Sequence, residues 1–80
     1  MRVLFFGRLG DAAGASEMNA PKRARTLSEL RAALCADNPA LALALDQAGV
    51  RVAVDHVIVH TDADIANARE IAFMSPLSGG

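Results

Sequence analysis

Cysteine is almost absent from this sequence, in which Cys35 stands alone. A single cysteine cannot form an internal disulfide or build a cysteine-rich zinc site. Cys35 follows Leu34 in a helical pattern without a basic neighbour, so we interpret it as a small, partly buried thiol rather than a sulfur relay. Trp and Tyr are missing altogether. The basic cluster at residues 22–25 also lacks the interleaved aromatics that are typical of RNA-binding surfaces.

An excess of charge of either sign is also lacking, since the formal net charge is -1. Long-range attraction to nucleic acid or to an acidic membrane is therefore not expected. We interpret the basic cluster of Lys22, Arg23 and Arg25 as a solvated edge segment. The apolar run at residues 3–6 ends at Gly7 and is too short for a signal-peptide core or a membrane span. We expect a cytoplasmic protein that binds neither nucleic acid nor a membrane.

Apolar residues are abundant, at 52% of 80 residues, and most of them are aliphatic. This composition predicts one folded domain around an aliphatic core. A chain of this size has little room for an enclosed active-site pocket. Length and composition therefore favour a carrier, an adaptor or a subunit over a free-standing enzyme.

Several segments have the composition and alternation of β-strands. The segment at residues 17–25 is polar and contains Pro21, which suits an edge strand. Asp55 and His56 separate two Val-rich runs, so these runs are predicted to form a hairpin with a tight turn. The predicted strands are Arg2–Phe6, residues 17–25, residues 50–54, Val57–Val59 and Glu70–Met74.

One main helix is predicted after residue 26. Thr26 and Glu29 fit a capping box, and Leu27, Leu30 and Leu34 follow at helical spacing. Pro39 ends this helix, and residues 40–47 read as a second short helical stretch. Residues 9–14 are predicted to be a loop or a single helical turn, and residues 62–69 a connector anchored by Ile65. The fold class is α+β, in the order β-β-α-β-β, with one main helix packed on one face of a mixed sheet.

The last four residues, Leu77-Ser78-Gly79-Gly80, are interpreted as a flexible tail that follows a domain of residues 1–76. Two glycines lack Cβ atoms and let a partner's backbone approach closely. A terminal carboxylate is chemically inert, but ATP can convert it to an acyl-adenylate, from which a persulfide can displace AMP to leave a thiocarboxylate. In such a scheme the carrier supplies position and its partner supplies the catalytic groups.

The sequence resembles the small subunit of molybdopterin synthase, a family of ubiquitin-like β-grasp proteins that carry sulfur as a C-terminal thiocarboxylate. The resemblance covers nearly the whole chain and is most specific in its last eleven residues. It departs from the family pattern at residues 67–69, at Ser75 and at Gly10, where the family has Asp-Gly-Asp, a proline and often an arginine. The segments that carry it are residues 3–6, residues 26–34, residues 53–55 and Glu70-Ile71-Ala72-Phe73-Met74-Ser75-Pro76-Leu77-Ser78-Gly79-Gly80.

This resemblance implies a cycle shared among several proteins. An adenylating enzyme of the ubiquitin-activating type would use MgATP to activate Gly80, and a sulfurtransferase would supply the sulfur. The tail, carrying sulfur as a thiocarboxylate, would enter the large subunit of molybdopterin synthase, which converts cyclic pyranopterin monophosphate to molybdopterin. Two small subunits and a large-subunit dimer would form a heterotetramer. This chain would bind no cofactor or metal and would not be an enzyme on its own.

In that cycle Gly80 carries the sulfur and Gly79 gives clearance. The other residues implied in partner binding are Phe73, Met74, Pro76, Leu77 and Ser78. Strand alternation sends one of Phe73 and Met74 toward the core and the other outward, beside Leu77.

Two further hypotheses stay open. One is a sulfur carrier for another product, such as thiamine or a thiolated tRNA. The other is a β-grasp interaction module or protein modifier. The remaining chemical candidates are interpreted as structural: His56 and His60 as surface residues, and Asp62 and Asp64 as loop carboxylates without a pocket.

Overall fold

Residues 1–20 and 24–75 of the chain are described by a computed structural model. They include five strands and three helices. All five strands were predicted individually, so the order β-β-α-β-β omitted one of the three strands that follow the helices. The elements are β1 (Arg2–Phe6), α1 (Arg8–Ala13), β2 (Glu17–Asn19), α2 (Leu27–Cys35), α3 (Pro39–Leu45), β3 (Arg51–Val54), β4 (Val57–Val59) and β5 (Glu70–Met74).

The five strands form one mixed sheet in the order β2-β1-β5-β3-β4. The first and last strands, β1 and β5, run parallel at its centre, while the other neighbouring strands are antiparallel. A parallel pair needs a long crossover connection, and the helices lie within it. The α+β class is confirmed, and β2 lies at the sheet edge as predicted, although it spans only Glu17–Asn19 of the predicted residues 17–25.

One face of this sheet forms the core. Val3, Phe5, Ile71 and Phe73 project from the two central strands and are at most 3% exposed. The helices cover them with leucines, and full burial of one such side chain stabilises the fold by roughly 1.5–3 kcal/mol. Ile65 is 1% exposed, which confirms its predicted role as the anchor of the connector. The covering leucines are Leu9, Leu27, Leu30, Leu41 and Leu45.

The start of α2 is set by the predicted capping box. The Thr26 hydroxyl accepts a hydrogen bond from the Glu29 amide at 3.2 Å, and the Glu29 carboxylate accepts one from the Thr26 amide at 3.1 Å. These two bonds satisfy backbone donors that have no partner within the helix. The apolar stripe of α2 is thereby placed over the sheet with Leu27 and Leu30 buried.

The predicted hairpin between β3 and β4 is confirmed. Asp55 and His56 form its two-residue turn with φ angles of 47° and 71°. Positive φ at both turn residues matches the right-handed twist of the flanking strands. The Asp55 carboxylate accepts hydrogen bonds from the amides of Arg69 and Glu70, both at 2.9 Å. The turn is therefore tied directly to the beginning of β5.

Candidate functional site

The chain leaves the sheet at the carboxyl ends of the two central strands. Phe6 is the register partner of Met74 in the parallel pair, and Arg51 is the partner of Met74 on the other side. Ser75 follows Met74 directly, so the C-terminal segment departs from this corner. The predicted tail residues Pro76, Leu77, Ser78, Gly79 and Gly80, together with the predicted domain boundary at residue 76, lie outside the described residues.

The structure decides between the two neighbouring residues that were predicted to bind a partner. Phe73 is 1% exposed, and its ring stacks on that of Phe5 in the core. The prediction that Phe73 contributes to a docking surface is therefore wrong, because strand alternation directs its side chain toward the helices. Met74 lies on the opposite face and is only half-buried. It remains the candidate contact residue of this pair.

The face of the sheet that the helices leave uncovered carries large apolar side chains. Phe6 is 50% exposed and Ile58 is 48% exposed. Between them lie Ala53 and Ala72, which are register partners with small side chains and are 8% and 7% exposed. We call Phe6, Ile58 and Met74 the outer apolar patch. Contiguous exposed apolar surface of this kind often marks a partner-binding site.

A shallow depression of about 510 Å³ lies at the outer apolar patch. Sequence reasoning did not assign Phe6 or Ile58 to a site. The available signal was strand alternation, which places Phe5 and Phe6 on opposite faces of β1. The depression is lined by Phe6, Gly7, Gly49, Arg51, Ile58, Met74 and Ser75.

Gly7 allows the chain to turn sharply beside the end of β5. It has φ 62° and ψ -136°, a backbone region that is essentially restricted to glycine. A Cβ atom built at this position would overlap the Ser75 hydroxyl. The missing side chain thus permits both the turn into α1 and the close approach of Ser75 where the C-terminal segment begins.

The opposite end of the outer face carries paired charges. The Arg2 guanidinium contacts the Glu70 carboxylate at 2.5 Å, and His56 Nε2 lies 3.6 Å from the other Glu70 oxygen. Hydrogen bonding to Glu70, with a smaller contribution from Glu17, raises the pKa of Arg2 above its usual value. These contacts join β1, β5 and the hairpin turn. They stabilise the sheet at the end remote from the departing chain.

Comparison with known proteins places this geometry in a family. The ThiS family model matches residues 3–80. The chain belongs to the ThiS family. It is also similar to the molybdopterin synthase sulfur carrier subunit of Escherichia coli (strain K12), with 29% identity over 80 residues that cover 100% of this chain and 99% of that protein.

The fold of this ThiS-family chain also matches a solved structure. The solution structure of small archaeal modifier protein 1 from Methanosarcina acetivorans superimposes with a TM-score of 0.76, covering 99% of this chain and 94% of that chain. Identity between the two is 20%, so the match concerns the fold alone. It confirms the predicted ubiquitin-like β-grasp architecture.

The two loop aspartates of the ThiS-family chain have structural partners. The Asp62 carboxylate accepts hydrogen bonds from the Ser28 amide at 2.9 Å and the Ala63 amide at 3.0 Å. The bond from Ser28 is the main reason why the pKa of Asp62 lies below its usual value. Asp64 accepts from the Ala66 amide at 2.9 Å. An open depression of about 580 Å³ lies beside both, contrary to the expectation of a loop without a pocket.

The remaining candidate groups lie apart from the outer apolar patch. Cys35 is half-buried as predicted, and burial raises the pKa of its thiol; contrary to the expectation of no basic neighbour, Arg31 lies close enough to act in the opposite direction. His56 and His60 are both exposed, as predicted. In residues 1–20 and 24–75, no three His, Cys, Asp or Glu side chains are grouped so that they could hold a metal ion. None of the helices within these ranges has the length and apolar content needed to cross a bilayer.

Proposed function

We propose that this chain is the sulfur carrier subunit of a molybdopterin synthase, with Gly80 as the group that carries the sulfur. The observation that carries the proposal is the similarity over the full chain to a molybdopterin synthase sulfur carrier subunit. Gly79-Gly80 falls within the residues matched by the family. The outer apolar patch lies directly beside the residue from which the chain continues toward these glycines.

The chemistry begins at the Gly80 carboxylate. In the active site of an adenylating partner, this carboxylate attacks the α-phosphate of MgATP, and pyrophosphate leaves. A persulfide sulfur on a sulfurtransferase then attacks the acyl-adenylate, and AMP leaves. A second thiol of the partner then attacks the sulfurtransferase sulfur of the resulting acyl disulfide and forms a disulfide with it, and the thiocarboxylate remains on Gly80. Each reacting group other than the carboxylate belongs to a partner, so this subunit contributes position rather than catalysis.

Two parts of the chain have separate roles in this chemistry: the outer apolar patch binds the partner, and the residues after Ser75 reach its reacting centre. Docking through the outer apolar patch holds the β-grasp domain against a partner. Five residues follow Ser75 in the sequence. A chain of five residues spans at most about 17 Å when fully extended. In each complex the reacting centre of the partner therefore lies within that distance of Ser75.

A sulfur carrier for a different product is the second candidate. The ThiS family match supports sulfur carriage without naming the acceptor. The 29% identity of this chain to the molybdopterin synthase subunit does not distinguish it from carriers for thiamine or for a thiolated tRNA. Docking and tail chemistry would be the same in each case, and the acceptor enzyme would differ.

Intact-protein mass spectrometry tests the carrier proposal. The chain is co-expressed with the adenylating enzyme and the sulfurtransferase of the same organism. We expect a mass that corresponds to replacement of one carboxyl oxygen by sulfur, and no such change in a variant that lacks Gly80. The thiocarboxylated protein is then mixed with the cognate large subunit and cyclic pyranopterin monophosphate, and the molybdopterin that forms is measured.

Two results separate the candidates. Sulfur carriage would be excluded if the mass of this chain stays unchanged while the same enzymes convert the Escherichia coli carrier, used as a control, to its thiocarboxylate. A thiocarboxylated protein that forms no molybdopterin with an active large subunit would instead exclude the molybdopterin pathway and favour another acceptor.

A further inference from the structure

A single arginine interrupts the outer apolar patch. Arg51 opens β3 directly across from Met74 and lines the same depression as Phe6 and Ile58. Its side chain is exposed. The ion pairs found among the described residues join Arg2 with Glu17 and Glu70, and Arg31 with Asp46, so none of them involves Arg51.

This position has a consequence for any protein that covers the patch. A partner that excludes water from Phe6 and Met74 also removes water from the neighbouring guanidinium. Removing a charge from water is unfavourable unless an opposite charge and hydrogen bonds replace the water. A planar guanidinium is best matched by a carboxylate, which it can bind through two parallel hydrogen bonds.

The charges of the outer face are also distributed unequally. Arg51 lies at the end from which the C-terminal segment departs. At the other end, Glu17 and Glu70 flank Arg2, so two carboxylates share one guanidinium. A partner that is complementary to this face presents an acidic group near its own reacting centre. Reversing the docking direction would place that acidic group near Arg2, whose guanidinium is already paired with Glu17 and Glu70, so that the two carboxylates would weaken the attraction.

We propose that the adenylating partner carries an acidic side chain within an apolar surface, and that this side chain pairs with Arg51. The pair selects the docking direction in which the C-terminal segment points into the adenylation site. Arg51 is thus a positioning residue, since it contacts the partner and not the reacting carboxylate. This inference rests on the proposed function. The adenylating enzyme is chosen because molybdopterin, thiamine and tRNA thiolation carriers all need the activation step.

The test measures adenylation of the full chain by its cognate adenylating enzyme, through ATP–pyrophosphate exchange at varied carrier concentration. For Arg51→Gln at low salt we expect KM for the carrier to rise about five-fold, with kcat unchanged. Arg51→Glu should raise KM further, because repulsion replaces attraction. Added salt should raise KM of the wild type, and it should raise KM of Arg51→Gln much less, because screening acts on the charge pair.

Arg69→Gln is the matched control. It removes the same charge from an exposed position directly before β5, at the end of that strand opposite to Met74. We expect KM, kcat and salt dependence of this variant to equal those of the wild type. Thermal unfolding of all variants shows that the domain stays folded, and Arg51→Lys should recover part of the lost affinity.

Three outcomes overturn the inference. Equal KM and salt dependence in wild type and Arg51→Gln would show that the guanidinium faces no carboxylate. A lower KM in Arg51→Gln would show that the guanidinium opposes docking rather than supporting it. A wild type that no adenylating enzyme activates, with an unchanged intact mass, removes the proposed function and this inference together. The first two results leave the proposed function intact.

Discussion

The ring of Phe5 stacks on the ring of Phe73, with centroids 5.7 Å apart and planes 11° from parallel. This contact joins the two central parallel strands inside the core. It also determines what lies outside, because the next residue on each strand points to the opposite face. Phe6 and Met74 are those residues, and they are register partners. Burial of one aromatic pair thus creates the outer apolar patch at the point where the C-terminal segment departs.

Truncation of the stacked ring should destabilise the domain strongly. We expect Phe73→Ala to lower the free energy of unfolding by about 3–5 kcal/mol, because it removes buried apolar surface and leaves a cavity. Urea denaturation followed by circular dichroism measures this change. Met74→Ala, one residue further on the half-buried face, should cost about 1 kcal/mol or less. Equal losses in the two variants would contradict the assignment of Phe73 to the core.

Truncation within the outer apolar patch should affect docking rather than folding. We expect Phe6→Ala to raise KM for adenylation by about ten-fold, since half of the ring is available for burial by a partner. The unfolding midpoint should change little. Leu43→Ala is the matched control, because Leu43 is 69% exposed on α3 and lies away from the patch. A similar rise in KM for both variants would argue against docking through the patch.

A side chain at Gly7 should be poorly tolerated. We expect Gly7→Ala to lower the free energy of unfolding by about 1–3 kcal/mol, because its φ and ψ angles fall in a region that is nearly restricted to glycine. Gly14→Ala provides the comparison. Gly14 has φ 80° and ψ 8°, and a Cβ atom there would meet no other atom within 4 Å.

For Gly14→Ala the expected loss is about 1–2 kcal/mol, the cost of left-handed helical geometry for a residue with a Cβ atom. Thermal or urea unfolding of both variants measures the loss in the free energy of unfolding at each position. A smaller loss at Gly7 than at Gly14 would contradict the backbone geometry described for the turn between β1 and α1.

The hydrogen bond from the Ser28 amide to the Asp62 carboxylate should make the stability of the fold depend on pH in the acidic range. This bond lowers the pKa of the Asp62 carboxyl from its usual value of 3.8. The folded state therefore favours the ionised form, and the stabilisation is fully present above that usual value. It is lost as pH falls through the lower pKa of the folded state. We expect the unfolding midpoint of the wild type to fall more steeply below about pH 4 than that of Asp62→Asn. Parallel curves for the two proteins over this range would contradict the role of Asp62.

Local signals in the sequence were sufficient for most of the secondary structure. Thr26 and Glu29 act within four residues of each other, so their capping box needs no distant partner to be recognised. Asp55 and His56 likewise form a tight turn between two Val-rich runs whose composition is typical of strands. The Gly79-Gly80 motif could also be identified from the sequence, and it carries the resemblance from which the function was first inferred.

The candidate site depended on contacts between residues that are far apart in the chain. Alternation along a strand defines two faces but does not say which one the helices will cover, and for this reason Phe73 was wrongly included in the docking surface. Phe6, Ile58 and Arg51 come from three different strands, and only their register brings them around one depression.

The sequence alone thus determined the elements, the turn, the helix start and the glycine pair, because each depends on residues close together in the chain. Tertiary structure decided which apolar side chains stay exposed, where the one arginine among them lies and where the C-terminal segment departs. These features follow from the parallel pairing of the first strand with the last, which joins residues about seventy positions apart. Local propensity cannot encode such a pairing, because it is selected by burial of the whole core.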